Sequence, residues 1–318
     1  MGIERPDVKA YFAAMAGQSG PSIIDIPPAT ARQMSRQMGG VMELPARKML
    51  RQDVTVPALD GHQIPVRIYS PTPAADPAPV LVFYHGGGWV LGDVEGYDSL
   101  CSEVAFQMNL TVVSVDYRLG PENLYPAAIE DSREATRWVA ASPDAIGHTV
   151  SGLILAGDSA GGSLAAGLSR ALLGTLPVPV LAQWLIYPVT DLTRNYPSDI
   201  ELSMLFNLTE EGKEKFYRYY FGEDNVETKK ADPLVSPLLG EIWQGLPPAV
   251  VFTCSLDPLR DQGRAYAAKL ASHGIETLYY EGEGQIHGSF TMRKVLPSAQ
   301  DDLLKGIAAL KLLVGNHI

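Results

Sequence analysis

The stretch GLILAGDSAGGSLAAGLSRALL, residues 152–173, decides how the rest of the chain is read. Its opening, GLILAGD, is an apolar run of strand length without alternation, the pattern of a strand covered on both faces. Its remainder from Ala160, AGGSLAAGLSRALL, has helical spacing. Between them stands Gly157-Asp158-Ser159-Ala160-Gly161. A G-x-S-x-G pattern joining strand to helix is a nucleophile elbow: the turn is sharp and strained, its glycines let strand and helix approach closely, and the serine projects at the C-terminal edge of the sheet. The pattern alone occurs by chance roughly 0.2 times in a chain of this composition. The strand before it and the helix after it supply the context that gives it meaning.

Outward from the elbow, strand and helix signals alternate. VTVPAL (54–59) and IPVRIYS (64–70) flank Asp60-Gly61, a hairpin signal. PVLVFYH (79–85), TVVSVDY (111–117), VLAQWLIYP (180–188), PAVVFTC (248–254) and ETLYYEG (276–282) read as further strands. AAIEDSREATRWVAA (127–141), PLRDQGRAYAAKLASHG (258–274) and LPSAQDDLLKGIAALKLLVG (296–315) read as helices, with Gly274 placed to end the second. This alternation predicts an α/β fold, a mostly parallel central sheet flanked by helices. Two segments do not fit. Residues 1–45 are punctuated by Gly20-Pro21 and Pro27-Pro28 and read as short helices; 191–222 reads as helices with polar linkers. The expected organisation is a core of 46–190 and 231–318, with 1–45 and 191–230 as helical additions over one edge of the sheet.

The strand 79–85 runs directly into His85-Gly86-Gly87-Gly88-Trp89. H-G-G-G arises by chance about 0.005 times in such a chain. A phosphate cradle would want Lys-Ser/Thr next, where this chain has Trp-Val-Leu. The other use of such a loop is an oxyanion hole, because glycine amides can face a ligand without side-chain obstruction and donate to a developing alkoxide. The expected donors are Gly87 and Gly88, with the amide of Ala160.

Composition excludes several other classes. The chain carries 25 Lys+Arg against 36 Asp+Glu, a formal charge of −11, which argues against a nucleic-acid partner. No basic run suggests an anionic membrane surface, and no apolar stretch approaches the ~18 residues of a membrane span. The opening MGIERPDVKAYF lacks the apolar region of a signal peptide. The default expectation is a soluble cytoplasmic protein. Cys101 and Cys254 are too few for a disulfide framework and form no C-x-x-C pair.

With these motifs in place, the chain resembles the bacterial hormone-sensitive-lipase-like esterases of the α/β-hydrolase superfamily, family IV, GDSAG type. HGGGWVLGD, DYRLGPENLYPAAIED, GDSAGGSLAA, LDPLRDQG and IHGSF stand in that family's order over roughly residues 80–290. Gly120 replaces the family's usual Ala in YRLAPE, and the family's HGF is stretched to His287-Gly288-Ser289-Phe290. The resemblance implies a Ser-Asp-His triad, no metal and no organic cofactor. It also implies a cap built from the N-terminal segment plus an insertion after Tyr187-Pro188, and that homodimers are common.

A serine nucleophile needs a base, and the base needs an orienting carboxylate. In this fold they follow the serine in the order acid, histidine. His287, in the loop past the last strand, is the expected base. His85 is expected to hold the glycine loop, His62 and His148 to lie in surface turns, His273 to cap a helix, and His317 is in the tail. Asp257, immediately beyond the strand 248–254, is the expected acid. Asp261, already on the next helix, suits that helix's N-terminal dipole. Asp158 is expected to brace the elbow. Trp89, Leu205 and Phe206 are the expected substrate-pocket residues, with Met204, Leu208, Tyr187 and Ile286 as further apolar candidates.

The expected activity is hydrolysis of short-chain carboxylic esters through an acyl-enzyme, with a small-molecule ester as partner. Two alternatives stand beside it. One is a non-catalytic receptor, as in the plant gibberellin receptors that resemble this family but have lost the triad histidine. The other is a lipase acting on long-chain fat.

Overall fold

In the computed structural model, which describes residues 5–16, 26–202 and 210–315, the eight apolar runs form one eight-stranded sheet. The strands are β1 (Leu50–Pro57), β2 (Gln63–Ser70), β3 (Ala78–Tyr84), β4 (Thr111–Val115), β5 (Val150–Asp158), β6 (Val180–Ile186), β7 (Ala249–Leu256) and β8 (Thr277–Ile286). Their spatial order is β1-β2-β4-β3-β5-β6-β7-β8. β2 pairs antiparallel with both β1 and β4, and all other pairings are parallel. Every residue of β3, β4 and β7 is buried, as unbroken apolar runs require.

Helices cover both faces: α1 (Pro6–Met15), α2 (Pro28–Met42), α3 (Asp98–Met108), α4 (Ala127–Ala140), α5 (Ala160–Ala171), α6 (Pro197–Glu201), α7 (Glu210–Phe221), α8 (Val226–Lys230), α9 (Arg260–Ser272) and α10 (Pro297–Val314). Side chains alternate along each strand, so the sheet separates two cores. Val80, Val82 and Tyr84 of β3 face the core shared with Ile129 of α4, Leu164 of α5 and Tyr266 of α9. Leu81 and Phe83 face the core shared with Leu100 of α3, Leu303 of α10 and Val8 of α1. Cys101 and Cys254 are free and buried in this second core, where burial pushes both thiols above their usual range, that of Cys101 to about 12. No helix among the described residues is long and apolar enough to cross a membrane.

Three sequence expectations need correction. The first strand begins at Leu50, not Val54, because its early residues are exposed at the sheet edge and carry no apolar signal. Helix α3 was not expected from the pattern: nine of its eleven residues are buried, so it lacks the one-sided periodicity that marks a surface helix. His148 is buried instead of lying in a surface turn; its Nε2 meets Thr111 Oγ at 3.0 Å and its Nδ1 the carbonyl oxygen of Thr149 at 3.1 Å.

The N-terminal helices are fastened to the sheet by buried charge. Arg293, 1% exposed, lies in the loop between β8 and α10. Its Nε donates to Glu43 Oε1 at 3.0 Å, its Nη1 to Gln300 Oε1 at 3.0 Å and its Nη2 to Ser99 Oγ at 2.8 Å. Glu43 follows the end of α2, and the amide of Lys294 donates to Met42 O beside it at 3.0 Å. One guanidinium thus joins α2, α3 and α10. Glu43→Ala should strand this charge without its carboxylate and destabilise the fold by about 3–5 kcal/mol, whereas the paired change Glu43→Leu with Arg293→Met should cost far less. Urea denaturation of the two variants checks the difference; equal losses would show that the ion pair itself carries little of the effect.

Candidate active site

The elbow is built by close approach. Ser159 has φ 53° and ψ −118°, in the positive-φ region that side-chain-bearing residues avoid. The strain is held from both sides. Ser159 N donates to Ile186 O of β6 at 2.9 Å, and Ser159 O accepts from Val189 N at 3.1 Å. Gly157 and Gly161 are required here: a Cβ on Gly161 would collide with the carbonyl oxygen of Tyr84, and one on Gly157 with that of Gly161. Because β3 and β5 are parallel neighbours with Tyr84 opposite Gly157, the glycine loop after β3 and the serine after β5 emerge side by side.

His287 follows β8 and Asp257 follows β7, so both reach the same edge. Ser159 Oγ lies 2.9 Å from His287 Nε2, and His287 Nδ1 lies 2.7 Å from Asp257 Oδ2. The other carboxylate oxygen of Asp257 accepts the amide of Leu259 at 2.8 Å, and the residue is fully buried. Burial pulls the His287 pKa down, but the charge and hydrogen bond of Asp257, with the charge of Asp158, outweigh it and leave the imidazole above its ordinary value.

The glycine loop has positive φ at Gly87 (112°), Gly88 (63°) and Trp89 (59°). Among the described residues none accepts a hydrogen bond from the amides of Gly87, Gly88 or Ala160. Their neighbours are tied down. Val90 N and Leu91 N turn back to Gly87 O, Gly120 N donates to Trp89 O, and Arg32 of α2 donates to Val90 O at 2.7 Å and Gly120 O at 2.6 Å. His85 stacks on Tyr117 at 4.2 Å between ring centroids, and Tyr117 OH donates to His85 O at 2.6 Å.

A cavity of about 250 Å³ opens over Ser159 and His287. Its walls include Trp89, Val189, Leu192, Phe216, Tyr217 and Leu259. Trp89 is in the lining but only 2% exposed, its ring stacked on Tyr220 of α7 at 4.7 Å. Leu205 and Phe206, with Met204 and Leu208, lie outside the described residues. Tyr187 and Ile286 are buried in the second core and do not line this cavity; the Tyr187 ring instead packs 4.9 Å from that of His287. Sequence reading missed Phe216 and Tyr217. Their signal is the aromatic run Phe216-Tyr217 and Tyr219-Tyr220-Phe221 on one helix, but no pattern says which of them faces the site.

Asp261 does not reach the histidine. Its Oδ2 accepts the amide of Ser198 at 3.0 Å, at the start of α6, and its Oδ1 pairs with Arg260 at 2.8 Å. Asp158, 2% exposed, takes a hydrogen bond from Tyr97 OH at 3.0 Å, and burial pushes its carboxyl up to about 6. His273 ends α9, its Nδ1 2.8 Å from Lys269 O. His62 is half-buried, and His317 lies outside the described residues. Among the described residues no group of three or more His, Cys, Asp or Glu is placed to hold a metal ion.

Comparison with known proteins places this arrangement. Residues 81–291 match the family described as alpha/beta hydrolase fold. The ethyl acetate hydrolase of Pseudomonas putida is 34% identical over 316 residues, spanning 96% of this chain and 98% of the relative. The carboxylesterase NlhH of Mycobacterium tuberculosis is 36% identical over 281 residues, spanning 84% of this chain and 88% of its own. Among solved structures, LAE6, an alpha/beta hydrolase enzyme from the metagenome of Lake Arreo, superposes with a TM-score of 0.90 at 32% identity, covering 99% of this chain and all of the other. The chain belongs to the alpha/beta hydrolase fold family, among its hormone-sensitive-lipase-like ester hydrolases.

Proposed function

We propose that this ester hydrolase acts on short-chain carboxylic esters through an acyl-enzyme on Ser159, with His287 as base, Asp257 as its orienting acid, and the amides of Gly87, Gly88 and Ala160 as the oxyanion hole. The observation that carries the reading is the unbroken line of hydrogen bonds from Asp257 through His287 to Ser159 at the floor of a mostly apolar cavity. Residues 1–45 and 191–230 are read as the cap over a core of 46–190 and 231–318.

In this mechanism Ser159 Oγ attacks the ester carbonyl carbon as its proton passes to His287 Nε2. The carbonyl oxygen becomes an alkoxide and takes up the free amides of the glycine loop and Ala160. Collapse breaks the bond to the alcohol oxygen, which leaves with the proton from Nε2. Water then gives its proton to Nε2 and attacks the acyl-serine. Collapse of the second intermediate returns that proton to Ser159 Oγ and releases the acid. Asp257 accepts a hydrogen bond from Nδ1–H throughout, which fixes the tautomer with Nε2 free and stabilises the imidazolium.

Ser159→Ala should fold normally and lose ~10⁴-fold or more in kcat, since triad members act as a unit. An organophosphate should label Ser159 and no other residue, as read by peptide mass spectrometry. Label on another serine, or an active alanine variant, would remove the assignment.

The two acids separate by their partners. Asp257→Asn should lower kcat by ~10⁴-fold. Asp261→Asn should keep kcat within a few-fold and cost about 1 kcal/mol of stability through the weakened link to Ser198 and Arg260. The pH profile follows from the sign of the His287 shift. A neutral base is required, and its pKa is raised, so kcat/KM should fall with decreasing pH at a midpoint above the ordinary imidazole value of ~6.5. In Asp257→Asn the residual activity should show that midpoint displaced to lower pH. A profile flat to pH 4.5 in folded protein, or a larger kcat loss at Asp261, contradicts these roles.

Substrate length follows from cavity size. A volume of about 250 Å³ is below the ~300–1,000 Å³ of sites for drug-sized ligands. Each added methylene gains ~0.8 kcal/mol only while apolar wall remains to cover it. On p-nitrophenyl esters, kcat/KM should peak at roughly two to six acyl carbons, and Phe216→Ala should move the peak to longer chains. A wild-type maximum at long acyl chains, with activation at an oil–water interface, would indicate a lipase instead.

A further inference from the structure

We propose that Tyr97 is a positioning residue for the reaction: its hydroxyl fixes the oxyanion loop in register with the nucleophile elbow. This rests on the reading of Ser159 and the glycine-loop amides given above, and goes beyond it by naming what aims those amides.

Tyr97 precedes the first residue of α3 and is not adjacent in sequence to either motif. Its hydroxyl accepts the amide of Gly86 at 3.0 Å and donates to Asp158 Oδ2 at 3.0 Å. Gly86 opens the loop whose next two residues line the cavity, and Asp158 immediately precedes Ser159. One oxygen therefore joins the two halves of the site. The spacing it holds is tight, because a Cβ on Gly86 would lie 2.6 Å from Asp158 Oδ2. The ring is held 5.9 Å from that of Phe83 and 5.6 Å from that of His85, and it lines the cavity above Ser159.

Three other ties on the loop hold it elsewhere. Arg32, Gly120 and Tyr117 all hold carbonyl oxygens, those of Val90, Trp89 and His85. They fix the loop to α2 and to the segment after β4, not to the elbow. The Gly86 amide already acts on the Asp158 carboxylate beside the Tyr97 hydroxyl, and without that hydroxyl the carboxylate is the partner left to it. Turning toward it would draw the loop down and rotate the amides of Gly87 and Gly88. Their hydrogen bonds matter most when charge develops on the carbonyl oxygen, so the loss should fall on the transition state and leave ground-state binding nearly unchanged.

The test is Tyr97→Phe, which keeps the ring and removes one oxygen. Rates are expressed per site titrated with an organophosphate, so that any misfolded fraction drops out. Removing an oxyanion donor outright costs ~10²–10³-fold, so misaiming should lower kcat by ~10–100-fold, with KM within about twofold. Affinity for a trifluoromethyl ketone, whose serine adduct carries the oxyanion, should weaken in parallel with kcat/KM. The acidic limb of the pH profile should not move, because the triad is untouched. Asp158→Asn keeps an oxygen to accept the Tyr97 hydroxyl but removes a charge that raises the His287 pKa; it should move that limb to lower pH and lower the plateau kcat less than Tyr97→Phe does. A Tyr97→Phe enzyme within threefold of wild type per titrated site, a loss expressed mainly in KM, or an unchanged ketone affinity would overturn the proposal. A wild-type enzyme that binds the ketone no more tightly than its methyl analogue would overturn the oxyanion assignment itself, and the Tyr97 proposal with it.

Discussion

The contact on which the site depends is the approach of the first turn of α5 to the last residue of β3. Gly161 sits against the carbonyl oxygen of Tyr84 with no room for a side chain. That approach forces Ser159 into positive φ, and the forced turn aims its side chain away from the sheet. Parallel pairing of β3 with β5 brings the glycine loop alongside. β6 supplies the backbone partners that hold the strained residue, and β7 and β8 each end one residue before a polar side chain of the hydrogen-bonded line. Five consecutive strands of a parallel sheet thus deliver five loops to one edge. The order of the strands, more than any local propensity, assembles the chemistry.

Two buried carboxylates flank one imidazole, and their surroundings divide their work. Asp257 faces His287 Nδ1 directly and has its second oxygen satisfied by the amide of Leu259. Asp158 has Tyr97 on one oxygen, and its other oxygen finds no partner among the described residues. An unsatisfied buried carboxylate oxygen is costly, which accords with burial raising the Asp158 carboxyl to about 6. Asp158 acts on His287 through its charge, and on the loop through Tyr97 and the amide of Gly86. A polar group kept at such cost beside Ser159 is where local stability gives way to positioning.

Most of the sheet is legible in the sequence because parallel strands buried on both faces leave unbroken Val- and Leu-rich runs, and the two glycine motifs are legible because close backbone approach admits no other residue. Asp257 is separable from Asp261 by counting from the strand end, since only the first lies before the helix takes over the backbone. What is not legible shares one cause. Helix α3 buries its polar residues Asp98, Ser99, Ser102 and Glu103 and exposes Phe106, so its sequence does not show which face is covered. Tyr97 stands in an unremarkable Gly-Tyr-Asp turn, and its importance comes from Gly86 and Asp158, 11 and 61 residues away. Phe216 is one aromatic among several on α7, and only the packing direction of that helix selects it. Periodicity reports which residues are buried; it does not report what they are buried against.

The helices outside the sheet's rhythm illustrate the same point at larger scale. α2 reaches the glycine loop through Arg32, which binds the carbonyl oxygen of Val90 in that loop and that of Gly120 in the segment after β4. α7 reaches the same loop through Phe216, whose ring occupies the space where a Cβ on Gly88 would stand, and through Tyr220, which stacks on Trp89. Neither helix contacts the loop through a pattern that sequence would display: one uses a guanidinium and the small side chain of Ala31, the other two aromatic rings four residues apart. The consequence is mechanical. α7 bounds the cavity and also packs on the backbone of the glycine loop, so a change at Phe216 that enlarges the cavity also removes a contact from Gly88. Cavity size and the placement of the glycine loop are therefore coupled at this ring. A change in acyl preference at Phe216 should carry a cost in kcat that a change at Leu192 or Val189, which line the cavity from the segment after β6, does not.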